Sequence, residues 1–231
     1  LKKLILQLTT LFLLIFTLNS CSSENENQGI IEYNISYPVK NYNRSLEMFL
    51  PKTMTMTYKN NVYKNEVSTS MFKSIMISDC NKKQMTMILN YGKDLNIYTT
   101  LNEKETKKWL ESFPELDYIT SYHKEELIGF SCFKHYGVYE NLEDGHDVEI
   151  IESTDIPIIN SNWCNQYHQF KGVLLGYEIQ QYGMNMKLTA KSIKQNKSIP
   201  DSVFDIPKNH QEVSLERFLK EMEIIFSLIL N

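Results

Sequence analysis

The sequence predicts a mainly β domain of the α+β class: a single curved antiparallel sheet with a mid-chain helix and a C-terminal helix packed on it. Three observations predict it. Short runs rich in β-branched and aromatic residues recur along the chain and are separated by turn residues. From Ile30 to Thr100 the runs succeed one another as a meander with no βαβ spacing. Only two segments carry apolar residues at helical spacing.

The strands follow in order. Ile30 to Tyr37 (I-I-E-Y-N-I-S-Y) stops at Pro38. Met54 to Lys59 and Val62 to Ser68 flank Asn60-Asn61, a pair suited to a two-residue hairpin turn. Phe72 to Ser78 and Gln84 to Tyr91 surround a polar turn, and Gly92-Lys93-Asp94 leads into Leu95 to Thr100. Asn102 then caps a helix over Glu103 to Phe113, ended by Pro114. Strands resume at Tyr118 to Tyr122, Phe130 to Tyr139 and Val148 to Ser153. Ile156 to Lys171 reads as loop, and Val173 to Tyr182 with Met184 to Lys194 reads as a hairpin turning at Gly183. Ser214 caps a last helix whose Leu215, Phe218, Leu219, Met222, Ile225, Phe226 and Ile229 share one face.

Composition supports one domain at residues 29–231. Of 231 residues, 42% are hydrophobic and 12% aromatic, enough for a substantial core and too many for a disordered chain. The only charges in residues 1–20 are Lys2 and Lys3, so the remainder carries 22 basic and 28 acidic side chains, a net charge of −6. That balance argues against nucleic acid as a partner, because phosphate binding needs a basic face.

The first 28 residues read as export and anchoring. Lys2-Lys3 precede an apolar stretch from Leu4 to Leu18, interrupted by Gln7, Thr9, Thr10 and Thr17. This is too short and polar to span a bilayer comfortably, and it fits the core of a signal peptide over 1–20. Leu18-Asn19-Ser20-Cys21 resembles the lipobox of bacterial lipoproteins, with Asn19 a slight departure. The resemblance implies that Cys21 is lipidated through its thiol and becomes the new N-terminus. Buried acyl chains contribute about 0.8 kcal/mol per CH₂, and two or more anchor stably. Residues 21–28 then read as the lipidated cysteine and a flexible tether. Its Ser22-Ser23-Glu24 resembles the surface-export signal of Bacteroidota-type lipoproteins. The expected location is therefore the cell envelope, lipid-anchored at the outer membrane and facing either the periplasm or the surface.

Three methionine pairs stand on predicted strands: Met54/Met56, Met85/Met87 and Met184/Met186. Period two places each pair on one face of its strand. Flexible thioethers either line a concavity that takes a lipid or another hydrophobic molecule, or fill a core beneath the helices. With Cys21 lipidated, Cys80, Cys132 and Cys164 remain, which permits one bridge and one free thiol; Cys132 with Cys164 is the pairing expected.

The order of these features resembles a family. I-x-Y-x-I-x-Y, G-F-S-C (129–132), K-G-V-L-L-G-Y-E (171–178), M-N-M-K-L-T-A (184–190) and I-P-D-S-V-F-D-I-P (199–207) are similar to uncharacterised lipoproteins distantly related to the outer-membrane lipoprotein carrier group (LolA, LolB and LppX-like). That resemblance implies an unclosed half-barrel roofed by helices, with acyl chains held in the concavity.

No motif supports an enzyme or a cofactor. The five histidines form no H-E-x-x-H or H-x-H, there is no G-x-S-x-G, and the glycines do not cluster into a phosphate loop. No C-x-x-C suggests a metal. The acidic run Glu140 to Asp147 lacks a calcium-loop ladder and reads as a solvated loop. Two functions fit: a lipoprotein that binds a hydrophobic ligand, and an interaction or scaffold lipoprotein with a filled core.

Overall fold

The computed structural model describes residues 27–38, 44–121, 123–139, 146–182 and 184–230. The signal peptide, Cys21, most of the tether, the acidic loop at 140–145, Tyr122 and Gly183 lie outside the described residues.

One sheet of 13 strands carries the fold. Strands β1 (Gln28–Ser36), β2 (Thr53–Lys59), β3 (Val62–Ser68), β4 (Phe72–Asp79), β5 (Gln84–Tyr91) and β6 (Leu95–Asn102) run outward from the centre to one edge. Helix α1 (Glu103–Leu110) leads to the opposite edge, where β7 (Leu116–Ile119) and β8 (Lys124–Leu127) both pair with β9 (Phe130–Tyr139). Then β10 (His146–Ser153), β11 (Val173–Gln181) and β12 (Met184–Gln195) return to the centre, where β12 pairs with β1. Two residues, β13 (Gln211–Glu212), add to β6 in parallel before the C-terminal helix α2 (Leu215–Leu230). All other pairings are antiparallel.

Chain length dictates the curvature. In a flat sheet β6 and β7 would stand ten strand spacings apart, about 48 Å at ~4.8 Å each. The connection between them has eight helical residues and five others, which reach about 30 Å at most. The sheet must curl to bring its ends together. It does so without closing, which leaves an open half-barrel.

Local chemistry sets the turns. Asn60 and Asn61 both adopt positive φ (49° and 67°), the conformation of a hairpin turn that asparagine tolerates. Asp79 accepts from the backbone N–H groups of Asn81 (3.1 Å) and Lys82 (2.9 Å), fixing the turn from β4 to β5. A capping box starts α1: Asn102 Oδ1 accepts from Glu105 N–H (3.1 Å), and Glu105 Oε2 accepts from Asn102 N–H (2.9 Å). The helix ends at Leu110, three residues before the expected Phe113. There Ser112 and Phe113 donate to Trp109 and Leu110, tightening the last turn ahead of Pro114.

The inner face of the half-barrel holds the main core. Register places Ile31, Met56, Asn65, Met76, Met87 and Thr99 in one row across β1 to β6, and Tyr33, Met54, Val67, Ser74, Leu89 and Ile97 in the next. Helix α2 covers one end of this face with Phe218, Met222, Ile225 and Phe226. Phe226 packs edge-on against Phe72 of β4 and stacks on Tyr182 beyond β11, so the helix spans the concavity. Segment 156–170 covers the other end with Ile156, Ile158, Trp163 and Cys164. The outer face is partly covered too, as Phe204 and Ile206 pack over Ile75, Ile77 and Ile88.

The sequence reading needs three corrections here. The expected strand at 118–122 is β7 at 116–119, and a further, unexpected strand, β8, follows at 124–127. The second of these, K-E-E-L, has too little apolar character to be recognised. Gln28, assigned to the tether, opens β1 and is buried, its Oε1 accepting from Ile199 N–H (3.0 Å). The segment 156–171 is a loop as expected, with no strand or helix, and most of its apolar side chains are buried. Its polar side chains make that possible: Asn162 Nδ2 donates to Phe170 O and Gly172 O, and Ser161 Oγ donates to Gly172 O. Finally, Cys132 and Cys164 are both free thiols. Cys132 Sγ donates to Phe130 O on β9, while Cys164 packs against β3 and β4 through Tyr63 and Ser78, so the expected bridge is not formed.

Candidate functional site

The methionine pairs lie inside the fold. Met54, Met56, Met85, Met87 and Met184 are each at most 8% exposed, and Met186 is half-buried against the same cluster. Each pair does share one face of its strand, as the spacing predicts. The opposite face is also covered, however, and the intervening Thr86 and Asn185 are buried. Thr86 meets the need for a partner by hydrogen bonding to Thr100 across β5 and β6 (3.1 Å). Of the six, only Met56 lines the interior cleft formed with Tyr33, Tyr63, Asn65, Asn162 and Tyr177. That cleft holds about 30 Å³, the space of one water molecule. The Oδ1 of Asn65 is buried there without a hydrogen-bond partner, so a water bound in the cleft would satisfy it.

A buried acid–base pair stands under the loop. His135 (β9) and Glu152 (β10) are 4% and 8% exposed, and His135 Nε2 lies 3.2 Å from Glu152 Oε2. Glu152 Oε1 accepts from Gly172 N–H (2.5 Å), and His135 Nδ1 accepts a long bond from Ser121 N–H (3.4 Å). An accepting Nδ1 assigns the ring proton to Nε2, which donates it to the carboxylate. Both ring nitrogens are thus engaged within the protein, and Phe170 packs on the ring (5.0 Å). The pair holds the 170–172 backbone against the sheet, with no ring nitrogen left over for a substrate. A second polar cluster joins Tyr139, Tyr167 and Gln166 around the Glu178 carbonyl. Burial pushes the Tyr139 phenol up to about 12 and that of Tyr167 well above its ordinary value, so both stay protonated donors.

The open site is on the outer face of the β7 end. Cross-strand register builds it from two rows: Asp117, Val138 and Asp147, then Ile119, Tyr136 and Glu149. Ile119 is 76% exposed, Tyr136 50% and Val138 39%, unusual for large apolar side chains in the body of a sheet. They line a trough of about 820 Å³. Glu149 is neutralised by Lys134 (3.0 Å), which also reaches Glu125 (3.3 Å). Asp117 and Asp147 flank Val138 on either side and form no ion pair among the described residues. Gly137 makes the packing of β7 possible, since a Cβ there would stand 2.9 Å from Leu116 Cδ1. Sequence reasoning identified Phe130 to Tyr139 as a strand but not this trough. The sign available was a strand apolar on both faces lying beside short, charged neighbours.

Among the described residues no group of three or more His, Cys, Asp or Glu could hold a metal ion, and no helix is long and apolar enough to cross a membrane.

No family model matches the chain, and no curated protein does. Solved structures do. The chain is similar to PNGF-II in a C2 crystal form, with a TM-score of 0.53 and 13% identity over 86% of this chain and 33% of that one. The P21 form of PNGF-II gives a TM-score of 0.54 and 13% identity over 87% and 34%. At that identity the likeness concerns the fold alone, and this chain spans about a third of the solved one.

Proposed function

We propose that the chain is a non-enzymatic bacterial lipoprotein, held at the envelope by acyl chains on Cys21, whose domain is an interaction module for a protein partner. The observation that carries this reading is the trough. Solvent-exposed Ile119, Tyr136 and Val138 lie beside two carboxylates, Asp117 and Asp147, that pair with no cation among the described residues. Such a surface suits a partner segment presenting Lys or Arg beside an apolar or aromatic side chain. The aromatic and aliphatic centre supplies desolvated contact area, and the acidic rim supplies register and speed of encounter. The burial of five of the six methionines, with Met186 half-buried against the same cluster, supports the filled-core form of the lipoprotein over the carrier form. A lipid tether suits this role, since it confines the domain to the membrane surface and raises its effective concentration toward partners held there.

A photo-crosslinking residue at Tyr136 in living cells tests the trough, with the same residue at the exposed Lys191 of β12 as control. The expected result is a discrete protein adduct at position 136 only, lost when Asp117→Lys and Asp147→Lys are combined. Equal adducts at both positions, or an adduct indifferent to the charge reversals, would refute the proposal. Native mass spectrometry of the purified protein tests the interior. Stoichiometric co-purifying lipid would return the function to a carrier.

A further inference from the structure

Cys164 and Cys80 meet where segment 156–170 docks on the rim of the sheet. Ser78 on β4 accepts the indole N–H of Trp163 (2.7 Å). The same hydroxyl lies 3.6 Å from Cys164 Sγ and 3.8 Å from Cys80 Sγ, so these two contacts together bound the separation of the sulfurs. Tyr63 on β3 closes the group, its hydroxyl 2.7 Å from Ser161 O and 3.2 Å from Cys164 Sγ. Cys80 and Cys164 are 4% and 1% exposed. Cys132 belongs to a different neighbourhood on β9, beside Ser153 and Glu125.

We propose that Cys80 and Cys164 are a redox pair, forming a disulfide that ties segment 156–170 to the turn between β4 and β5, with Cys132 as the thiol left over. The site rests on the reading of the chain as exported, because an oxidising compartment is where such a bridge persists. The chemistry is thiol–disulfide exchange with a small-molecule or protein disulfide. One cysteine thiolate attacks it, a mixed disulfide forms and the second cysteine displaces the remaining thiol. The product is one Sγ–Sγ bond here and two thiols on the reduced oxidant. Burial pushes the Cys80 thiol up to about 12 and raises that of Cys164, which suppresses the thiolate in the docked state. Exchange therefore proceeds through opening of the segment, during folding or in mild denaturant, and the closed form protects whichever state it has reached.

The test uses the full chain purified in detergent, fully reduced, then incubated with oxidised glutathione at neutral pH and sub-denaturing urea. Expected is the loss of two hydrogens from the intact mass, one cross-linked peptide pair containing Cys80 and Cys164, and a Cys132 that still takes a maleimide after unfolding. Oxidation should raise the unfolding midpoint, and Cys132→Ser should leave the bridge intact. A bridge that includes Cys132, or three free thiols under conditions that oxidise a control dithiol protein, would overturn the pairing. This outcome is separate from the export reading, which fails only if the chain carries no lipid on Cys21.

Discussion

Replacing Phe226 with alanine distinguishes a filled half-barrel from a lidded one. The ring is 6% exposed and contacts two opposite walls, Phe72 at 5.6 Å between centroids and Tyr182 at 4.6 Å with planes only 10° apart. Truncating a buried phenylalanine costs about 3–5 kcal/mol, a figure that includes the cavity left behind. Two aromatic pairs are lost together, each worth about 0.5–1.5 kcal/mol beyond its area, which places this site toward the upper half of that range. Because Phe218, Met222 and Ile225 of the same helix belong to the main core, α2 unfolds with the sheet and the transition stays single. Urea titration, followed in parallel by tryptophan fluorescence and far-ultraviolet circular dichroism, reads both quantities. Trp163 sits in the segment at one end of the concavity and Trp109 on α1, so neither probe lies on α2. A loss below about 1 kcal/mol, or a separate early transition for the helix, would mean that α2 is a movable lid, and the filled-core argument would fail.

Three other outcomes are expected. Cys21→Ala should abolish metabolic labelling with palmitate, and continued labelling would place the lipid elsewhere. Asn102→Ala should cost about 1 kcal/mol through loss of the cap on α1, measured by urea unfolding, with no change in the slope of the transition. Glu66 is tuned by two opposing effects. Burial raises its carboxyl, but ion pairs with Lys73 (2.8 Å) and Lys64 (3.2 Å) outweigh it and hold the group below its ordinary value. A depressed carboxylate stabilises the fold above its unfolded pKa and loses that contribution as pH falls through the folded value. Glu66→Gln should therefore cost about 0.5–1 kcal/mol at neutral pH, given the solvent screening of a half-exposed cluster, and nothing once the pH is low enough to protonate the wild-type carboxyl. A penalty that persists in acid would assign the effect to packing.

Much of the architecture was legible because it depends on local signals. Asn60-Asn61, the Asn102 cap and the spacing of Phe218, Met222, Ile225 and Phe226 each encode backbone geometry within a few residues. Segment 156–170 shows where that logic stops. Its Ile156, Ile158, Trp163, Tyr167 and Phe170 side chains are buried although they follow no period, because Ser161 and Asn162 satisfy the backbone in place of a ladder. Only contact with distant strands rewards that arrangement. Likewise β8 exists because β9 offers an edge, with little contribution from the residues Lys124 to Leu127 themselves.

The same division explains the sites. Alternation placed each methionine pair correctly on one face, yet it carries no information about what lies opposite that face. Phe204 and Ile206 cover the outer surface from more than a hundred residues away, and α2 reaches across the inner one. A thioether aimed into a concavity and one aimed at Phe226 have the same sequence signature, so the choice between cavity and core belongs to tertiary structure. The trough reverses the problem. Tyr136 and Val138 look like core residues in sequence and stand in solvent because β7 is short, charged and at the end of an open sheet. Exposed apolar side chains that no hydrophobic neighbour covers cost solubility, and an edge left unpaired invites aggregation unless charge protects it. Asp117 and Asp147, paired in register on either side of Val138, supply that charge beside the exposed side chains.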